Sequence, residues 1–184
     1  MAVDERALLA RLREGDREAF DAIFREHYAP LVGLAEAMLR DRASAEDVVQ
    51  DVLLELWRRR QTLVLESSLR GYLFRATRNR VLNRVRHERV VERSVVLLGA
   101  ADSAANADWS AASREIEEAL EQGIASLPDR CREVFQLSRA HGLKYAEIAE
   151  ALEISVKTVE AQIGKALRIL RERLAPWLPS VTDQ

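Results

Sequence analysis

With 184 residues, 32% of them charged and only 5% aromatic, the chain has the make-up of a helical protein of one or two domains rather than a β-sandwich. Its single cysteine, Cys131, excludes an internal disulfide framework and fits a reducing compartment, no apolar run approaches the roughly 20 residues needed to cross a bilayer, and the charged, helical start does not read as a signal peptide. The formal net charge of −2 conceals an asymmetry: residues 1–57 carry net −6, residues 58–93 net +8, and residues 94–113 and 114–184 net −2 each, so one short segment concentrates positive charge.

Residues 5–14 read as a short helix stopped by Gly15. Asp16 can cap the next helix, whose apolar face is Phe20, Ile23, Phe24, Tyr28, Leu31, Leu34, Ala35, Met38 and Leu39, and Pro30 is expected to kink or split it. Residues 40–43 form a turn. Over residues 44–57, Val48, Val49, Val52, Leu53, Leu56 and Trp57 recur at helical spacing as a stripe for the core. Asp47, Gln50, Asp51, Leu54 and Arg58 recur at i, i+3, i+4, i+7 and i+11 and share the opposite face. Ser44 is the expected N-cap, with Glu46 and Asp47 in the first turn, where the helix dipole favours negative charge. On periodicity alone this is also the pattern of an ordinary amphipathic helix with a solvated face.

Residues 62–68 look like a loop, and Leu69 starts a long basic helix running to about residue 92. Arg75, Asn79, Asn83 and Arg86 fall at i, i+4, i+8 and i+11, with Arg80 beside them, while Leu69, Leu73, Ala76, Leu82 and Val85 mostly take another face. Amides can read base edges and arginines can clamp phosphates, so this stripe suits DNA; a solvated basic helix would have the same composition. Tyr72 falls at helical spacing with Leu69 and Leu73, as a core residue would. Residues 94–113 contain no Lys or Arg, are rich in Ala, Ser, Asp and Asn, and read as a linker, with Val95, Val96, Leu97, Leu98 and Trp109 as apolar exceptions.

Beyond the linker, residues 128–140 form a helix with Pro128 at its start, where a missing N–H costs nothing, and Cys131 sits in its apolar pattern as a buried structural thiol. Residues 145–174 have the pattern of a helix-turn-helix. Ile148 and Leu152 face inward, Ala149 is small where two helices meet, Ile154 plugs the turn, and Ser155 caps the second helix. Val159, Ile163, Ala166, Leu167, Leu170 and Leu174 form its buried side, while Lys157, Thr158, Glu160, Ala161, Lys165 and Arg168 lie on or beside the opposite face. In a major groove, the N-terminal residues of such a helix reach base edges and later basic residues reach phosphates. Glu153 stands where such turns usually carry Gly for a left-handed backbone.

Ala45-Glu46-Asp47, Gln50-Asp51 and Leu56-Trp57 resemble the core-binding helix of bacterial sigma factors. Phe20, Tyr28, Leu31 and Ala35 upstream, and Gly71-Tyr72-Leu73, Ala76-Thr77-Arg78-Asn79 and Arg86 downstream, extend the likeness. A second match covers residues 127–174, opening on Ser126-Leu127-Pro128 and Arg132-Glu133-Val134-Phe135-Gln136-Leu137, which is similar to the start of sigma region 4. The short two-domain layout resembles the extracytoplasmic-function (ECF) group of the sigma-70 family.

The resemblance implies an all-α chain of two helical domains, residues 1–93 and 114–184, joined by a flexible linker, 94–113. It implies core RNA polymerase as partner, with Asp47, Gln50, Asp51, Leu54 and Arg58 on the clamp helices of the largest subunit and the second domain also meeting the flap of the second-largest. It implies Arg75, Asn79, Arg80, Asn83 and Arg86 against the −10 promoter element, with residues 64–68 as a base-flipping loop and Tyr72 as either a stacking partner or core. It implies Ser155, Lys157, Thr158, Glu160, Ala161, Lys165 and Arg168 against the −35 element. Asn83 departs from the Asp common in relatives, which leaves the −10 preference open. The linker would thread toward the active-centre cleft, although a plain tether has the same composition. An anti-sigma factor is a further implied partner, and the implied location is cytoplasmic, with no cofactor, small-molecule substrate or membrane insertion.

An enzyme is the competing class. His27, His87 and His141 lack metal-type spacing and no glycine-rich phosphate loop is present, so no catalytic or metal site is expected. A dimeric helix-turn-helix regulator acting without polymerase is the alternative among DNA-binding proteins; response regulators have similar C-terminal domains, and the all-helical first half argues against the α/β receiver they carry.

Overall fold

The structure is a computed structural model that describes residues 5–65, 68–91 and 111–177, with the side chains of 87–91, 111–114 and 117 outside that set. The described residues form helices α1 (Glu5–Arg13), α2 (Arg17–Leu39), α3 (Arg42–Arg59), α4 (Leu69–Val91), α5 (Ala111–Ala125), α6 (Asp129–Arg139), α7 (Tyr145–Leu152) and α8 (Val156–Leu174), then a short 3-10 turn at Ala175–Trp177, and no strand. They gather into two compact units, one built on α1–α4 and one on α5, α6 and α8. The expected linker lies almost wholly outside the described residues, including Val95, Val96, Leu97, Leu98 and Trp109; α5 begins at Ala111, within the segment read as linker.

In the first unit, α1 ends where Gly15 takes φ +85°, and the Gly15 and Asp16 N–H groups return to the carbonyls of Leu12 and Arg11. Asp16 then caps α2 as expected: its Oδ1 accepts from Glu18 N at 2.8 Å and Ala19 N at 3.4 Å, and Arg11 Nε donates to Oδ2 at 2.7 Å. The Arg11 hydrogen bond, assisted by those backbone donors, holds the Asp16 carboxyl below its ordinary pKa. Pro30 does not split the helix; α2 continues through it to Leu39, where Arg40 at φ +57° reverses the chain.

α2, α3 and α4 pack on one another and α1 packs on α2. Ile23, Leu31, Val49, Leu53, Leu56, Leu73 and Phe74 are buried at the centre. Burying each such side chain is worth about 1.5–3 kcal/mol, so this apolar set, rather than helix propensity, holds the unit together. The start of α4 is fixed twice: Ser68 Oγ accepts from Gly71 N at 3.0 Å, and Glu5 Oε1, from α1, accepts from Leu69 N at 2.5 Å.

Three expectations change here. Asp41, not Ser44, caps α3, with Oδ2 accepting from Ser44 N at 2.8 Å; the helix therefore starts at Arg42, and Glu46 and Asp47 fall beyond the first turn. Ser44 is instead tied to α4, because Arg84 Nη2 donates to its Oγ at 2.9 Å. On α2, Phe24 is exposed and Phe20 and Tyr28 are only half-buried, while Ala19, His27 and Val32 are buried. On α4 the buried stripe is Leu69, Leu73, Phe74, Thr77 and Val81; Ala76, Leu82 and Val85 are half-buried.

In the second unit, α5 and α6 pack on α8 around Leu127, Cys131, Phe135, Ala166 and Leu170. α5 is an element that the sequence reading left unnamed. Its last carbonyls are capped from α6: the Arg132 guanidinium donates to the oxygens of Ile124 and Ala125 at 3.2 and 2.7 Å, and to that of Leu127 in the following turn at 2.8 Å. Pro128 takes the N-cap position of α6 without a side-chain hydrogen bond. Cys131 is buried, its Sγ 3.2 Å from the Gln162 carbonyl, and burial pushes its thiol pKa up.

Candidate nucleic-acid and partner interfaces

α3 separates into the two expected faces. Ala45, Val48, Val49, Val52, Leu53 and Leu56 are buried. Asp47, Gln50, Asp51, Leu54 and Arg58 are all exposed, Leu54 with 49% of its surface. Beside Leu54, an open groove of about 360 Å³ runs between α2 and α3, lined by Arg17, Phe20, Asp21, Leu54 and Trp57. Trp57, expected in the core, is half-buried: the Phe20 ring meets it edge-on at 5.3 Å, and the Arg60 guanidinium lies 4.4 Å from its ring centroid while donating to its carbonyl at 2.9 Å. The half-burial of Trp57 leaves a side chain read as core lining the edge of the exposed strip.

On α4, Arg80, Asn83 and Arg86 are exposed, and Arg75 and Asn79 are half-buried. Arg86 Nη1 donates to Asn83 Oδ1 at 3.1 Å, so these two act as a linked pair. Arg80 does not stand with them as a lone cation: its Nη2 lies 2.6 Å from Asp51 Oδ2 on α3. Two residues assigned to different partners are thus each other's partner here, a contact 29 residues apart that no spacing rule reveals. Tyr72 is half-buried, between the core and surface alternatives, and burial raises its phenol pKa.

The loop before α4 buries Leu63 and leaves Val64 83% exposed; Glu66 and Ser67 lie outside the described residues. Arg13 Nη2 donates to the Leu63 carbonyl at 3.3 Å. An open cleft of about 440 Å³ is lined by Arg6, Leu9 and Arg13 of α1 and by Leu63, Val64 and Leu65 of the loop. The α1 residues were missed from sequence, because their contact with the loop spans some fifty positions.

The helix-turn-helix forms over the expected residues. Ile148, Ala149 and Leu152 are buried and Ile154 is half-buried. Glu147 Oε2 reaches back to accept from Lys144 N at 2.8 Å, and Ile154 N donates to the Ala149 carbonyl at 3.0 Å. Glu153 adopts φ +54°, the left-handed turn that Gly would otherwise fill. Ser155 Oγ accepts from Thr158 N at 3.1 Å and lies 2.8 Å from Thr158 Oγ1, so both hydroxyls are engaged in the cap. Ser155, Lys157, Glu160, Ala161, Lys165 and Arg168 are exposed and Thr158 half-buried; Val159, Ile163, Ala166 and Leu170 are buried. Leu167 is 42% exposed and Leu174 half-buried, which corrects the expectation for both: α8 meets its neighbours through a narrower sector than its apolar residues span. Gly164 is exposed, with open space where a Cβ would sit. Among the described residues no group of His, Cys, Asp and Glu could hold a metal, and no helix is long and apolar enough to cross a membrane.

Comparison with known proteins follows the same division. The family model "Sigma-70 region 2" matches residues 23–90, and "Sigma-70, region 4" matches residues 117–170. The chain is 32% identical to a Mycobacterium ulcerans protein named ECF RNA polymerase sigma factor SigK, over 93% of this chain and 94% of that one. It is 30% identical to the protein of the same name from Mycobacterium tuberculosis, over 95% of both. The fold is similar to that of CnrH, solved with the cytosolic domain of CnrY, with a TM-score of 0.63 and 24% identity over 94% of this chain and 97% of that one. It is also similar to the sigma factor RpoE of Bartonella quintana, solved with the anti-sigma factor NepR, with a TM-score of 0.62 and 24% identity over 85% and 96%.

Proposed function

The chain belongs to the ECF group of the sigma-70 RNA polymerase sigma factors, and from that premise we propose that three of its surfaces divide the work of starting transcription at specific promoters. α3 binds core polymerase through Asp47, Gln50, Asp51, Leu54 and Arg58, on the clamp helices of the largest subunit. α4 meets the −10 element through Arg75, Asn79, Arg80, Asn83 and Arg86, and the loop ahead of it receives an extruded base. α8 enters the major groove at the −35 element with Lys157, Glu160, Ala161, Lys165 and Arg168, while Ser155 and Thr158 hold its first turn; the same unit meets the polymerase flap. In this division residues 1–93 and 114–184 act as two domains and 94–113 as their linker.

The observation that carries the reading is the α3 strip: five side chains at helical spacing, all exposed, on a helix whose opposite side buries Ala45, Val48, Val49, Val52, Leu53 and Leu56. The +8 charge of residues 58–93 supplies the phosphate attraction expected of the adjoining helix. Catalysis of nucleotide transfer stays with polymerase; this subunit positions it and helps open the duplex. An anti-sigma factor that covers the polymerase-binding surfaces is the regulatory partner we infer, and the cytoplasm the compartment. The decisive experiment adds the purified chain to core polymerase and a promoter library and reads run-off transcripts. Promoter-specific initiation that depends on the chain supports the assignment. Specific DNA binding as a dimer with no effect on initiation would favour a regulator that works without polymerase.

A further inference from the structure

We propose that Asp51 restrains Arg80 from DNA until polymerase takes Asp51, so that docking on α3 releases a phosphate-binding arginine on α4. The inference rests on the reading that the α3 strip is the polymerase surface. Arg80 Nη2 and Asp51 Oδ2 are 2.6 Å apart, and the side chains retain 48% and 54% of their exposure, so the pair is reachable from solvent on both sides. Asp51 belongs to the strip with Asp47, Gln50 and Leu54; Arg80 belongs to the helix that carries Asn79, Asn83 and Arg86. A phosphate approaching Arg80 must displace the carboxylate or share the guanidinium with it, and two anions on one cation repel. A cationic group of polymerase bound to Asp51 removes that competition. The exposed pair is weak enough to exchange: pairs of this kind shift equilibria by about two- to fivefold, so the restraint is a modest bias rather than a lock.

Linkage makes the coupling reciprocal, and a cycle of variants measures it. The probe is the fluorescein-labelled non-template strand of a promoter selected in vitro with the reconstituted holoenzyme, and the readout is anisotropy across a salt series. In the free chain, Arg80→Ala should change DNA affinity by less than about twofold, because Arg80 is occupied. In holoenzyme, the same substitution should weaken binding by at least about threefold and lower the salt slope by about one. Asp51→Asn should strengthen binding by the free chain up to about fivefold, and adding Arg80→Ala should abolish that gain. An equal cost of Arg80→Ala in the free chain and in holoenzyme would overturn the proposal. So would weaker binding by Asp51→Asn, which would mean that Asp51 holds Arg80 toward DNA. Affinity for core polymerase is measured separately on Asp51→Asn. If it is unchanged, the polymerase reading of Asp51 fails, whatever the DNA cycle shows.

Discussion

Two helix-interior glycines should respond in opposite directions to one substitution. Gly164 lies in the middle of α8, is exposed, and a Cβ built there meets nothing within 4 Å. Gly164→Ala should therefore return the helix-propensity difference almost undiminished, about 0.5–1 kcal/mol of added stability. For a unit of this size that is a rise of several degrees in unfolding midpoint, at roughly 4–8 °C per kcal/mol. Gly123 lies near the end of α5, is buried, and its Cβ would come 2.9 Å from Leu170 Cδ2 and 4.0 Å from Arg173 Cβ. Leu170 is itself only 5% exposed and belongs to the core cluster with Leu127, Cys131, Phe135 and Ala166, so its methyl must shift among packed neighbours. Overpacking of that kind costs about 1–3 kcal/mol, more than the propensity gain, and Gly123→Ala should destabilise by roughly 0–2 kcal/mol. Thermal unfolding of the full chain by circular dichroism gives the sign of each change, and native-state hydrogen exchange of α5 and α8 amides assigns it to the second unit. A Gly123→Ala protein as stabilised as Gly164→Ala would refute the close approach of α5 to α8 and, with it, this account of the core around Leu170.

Gln50→Ala and Asp51→Ala should each weaken binding to core polymerase in a pull-down or anisotropy titration while leaving helix content near wild type, since both side chains are exposed. Lys157→Ala and Arg168→Ala should weaken binding to −35 duplex and each reduce the salt slope by about one, which a salt series reads directly. Asn79→Ala should bind polymerase normally and fail mainly at opening, losing roughly 1–3 kcal/mol of contact to an extruded base, as permanganate reactivity of unpaired thymines would report. Cys131 should resist alkylation at pH 8 until the chain is unfolded, because burial both shields the thiol and raises its pKa; prompt labelling of the native protein would contradict its position under α8.

The helices that the sequence predicted best are those whose signals are local. Asp16 and Ser155 cap the helices they precede, and Glu153 takes the left-handed turn its position demanded, because each interaction closes within a few residues. The same locality explains the α3 faces: a period of 3.6 is a property of one helix, and Asp47, Gln50, Asp51, Leu54 and Arg58 share a side whatever surrounds them. The α3 cap was misread because Asp41 and Ser44 are both competent capping residues three positions apart. Asp41 takes the cap, and the Ser44 hydroxyl instead accepts from Arg84 of α4, a contact that crosses 40 positions.

What a single helix cannot specify is which angular sector of it another helix will cover. α2 exposes Phe24 and buries His27, against their hydrophobicity, because α3 and α4 set the covered sector. α4 buries Phe74, Thr77 and Val81 and leaves Ala76, Leu82 and Val85 half-buried, a rotation of the stripe fixed by packing against two helices at once. Leu167 faces solvent for the corresponding reason on α8. Arg80 and Asp51, placed on separate surfaces by their own helices, meet only because α3 and α4 pack side by side. The amino-acid order therefore determined where helices start, turn and present charge, through interactions spanning one or two turns. The tertiary structure decided which apolar residues are covered and which charges pair across helices, because burial and ion pairing depend on neighbours that the chain brings from tens of residues away.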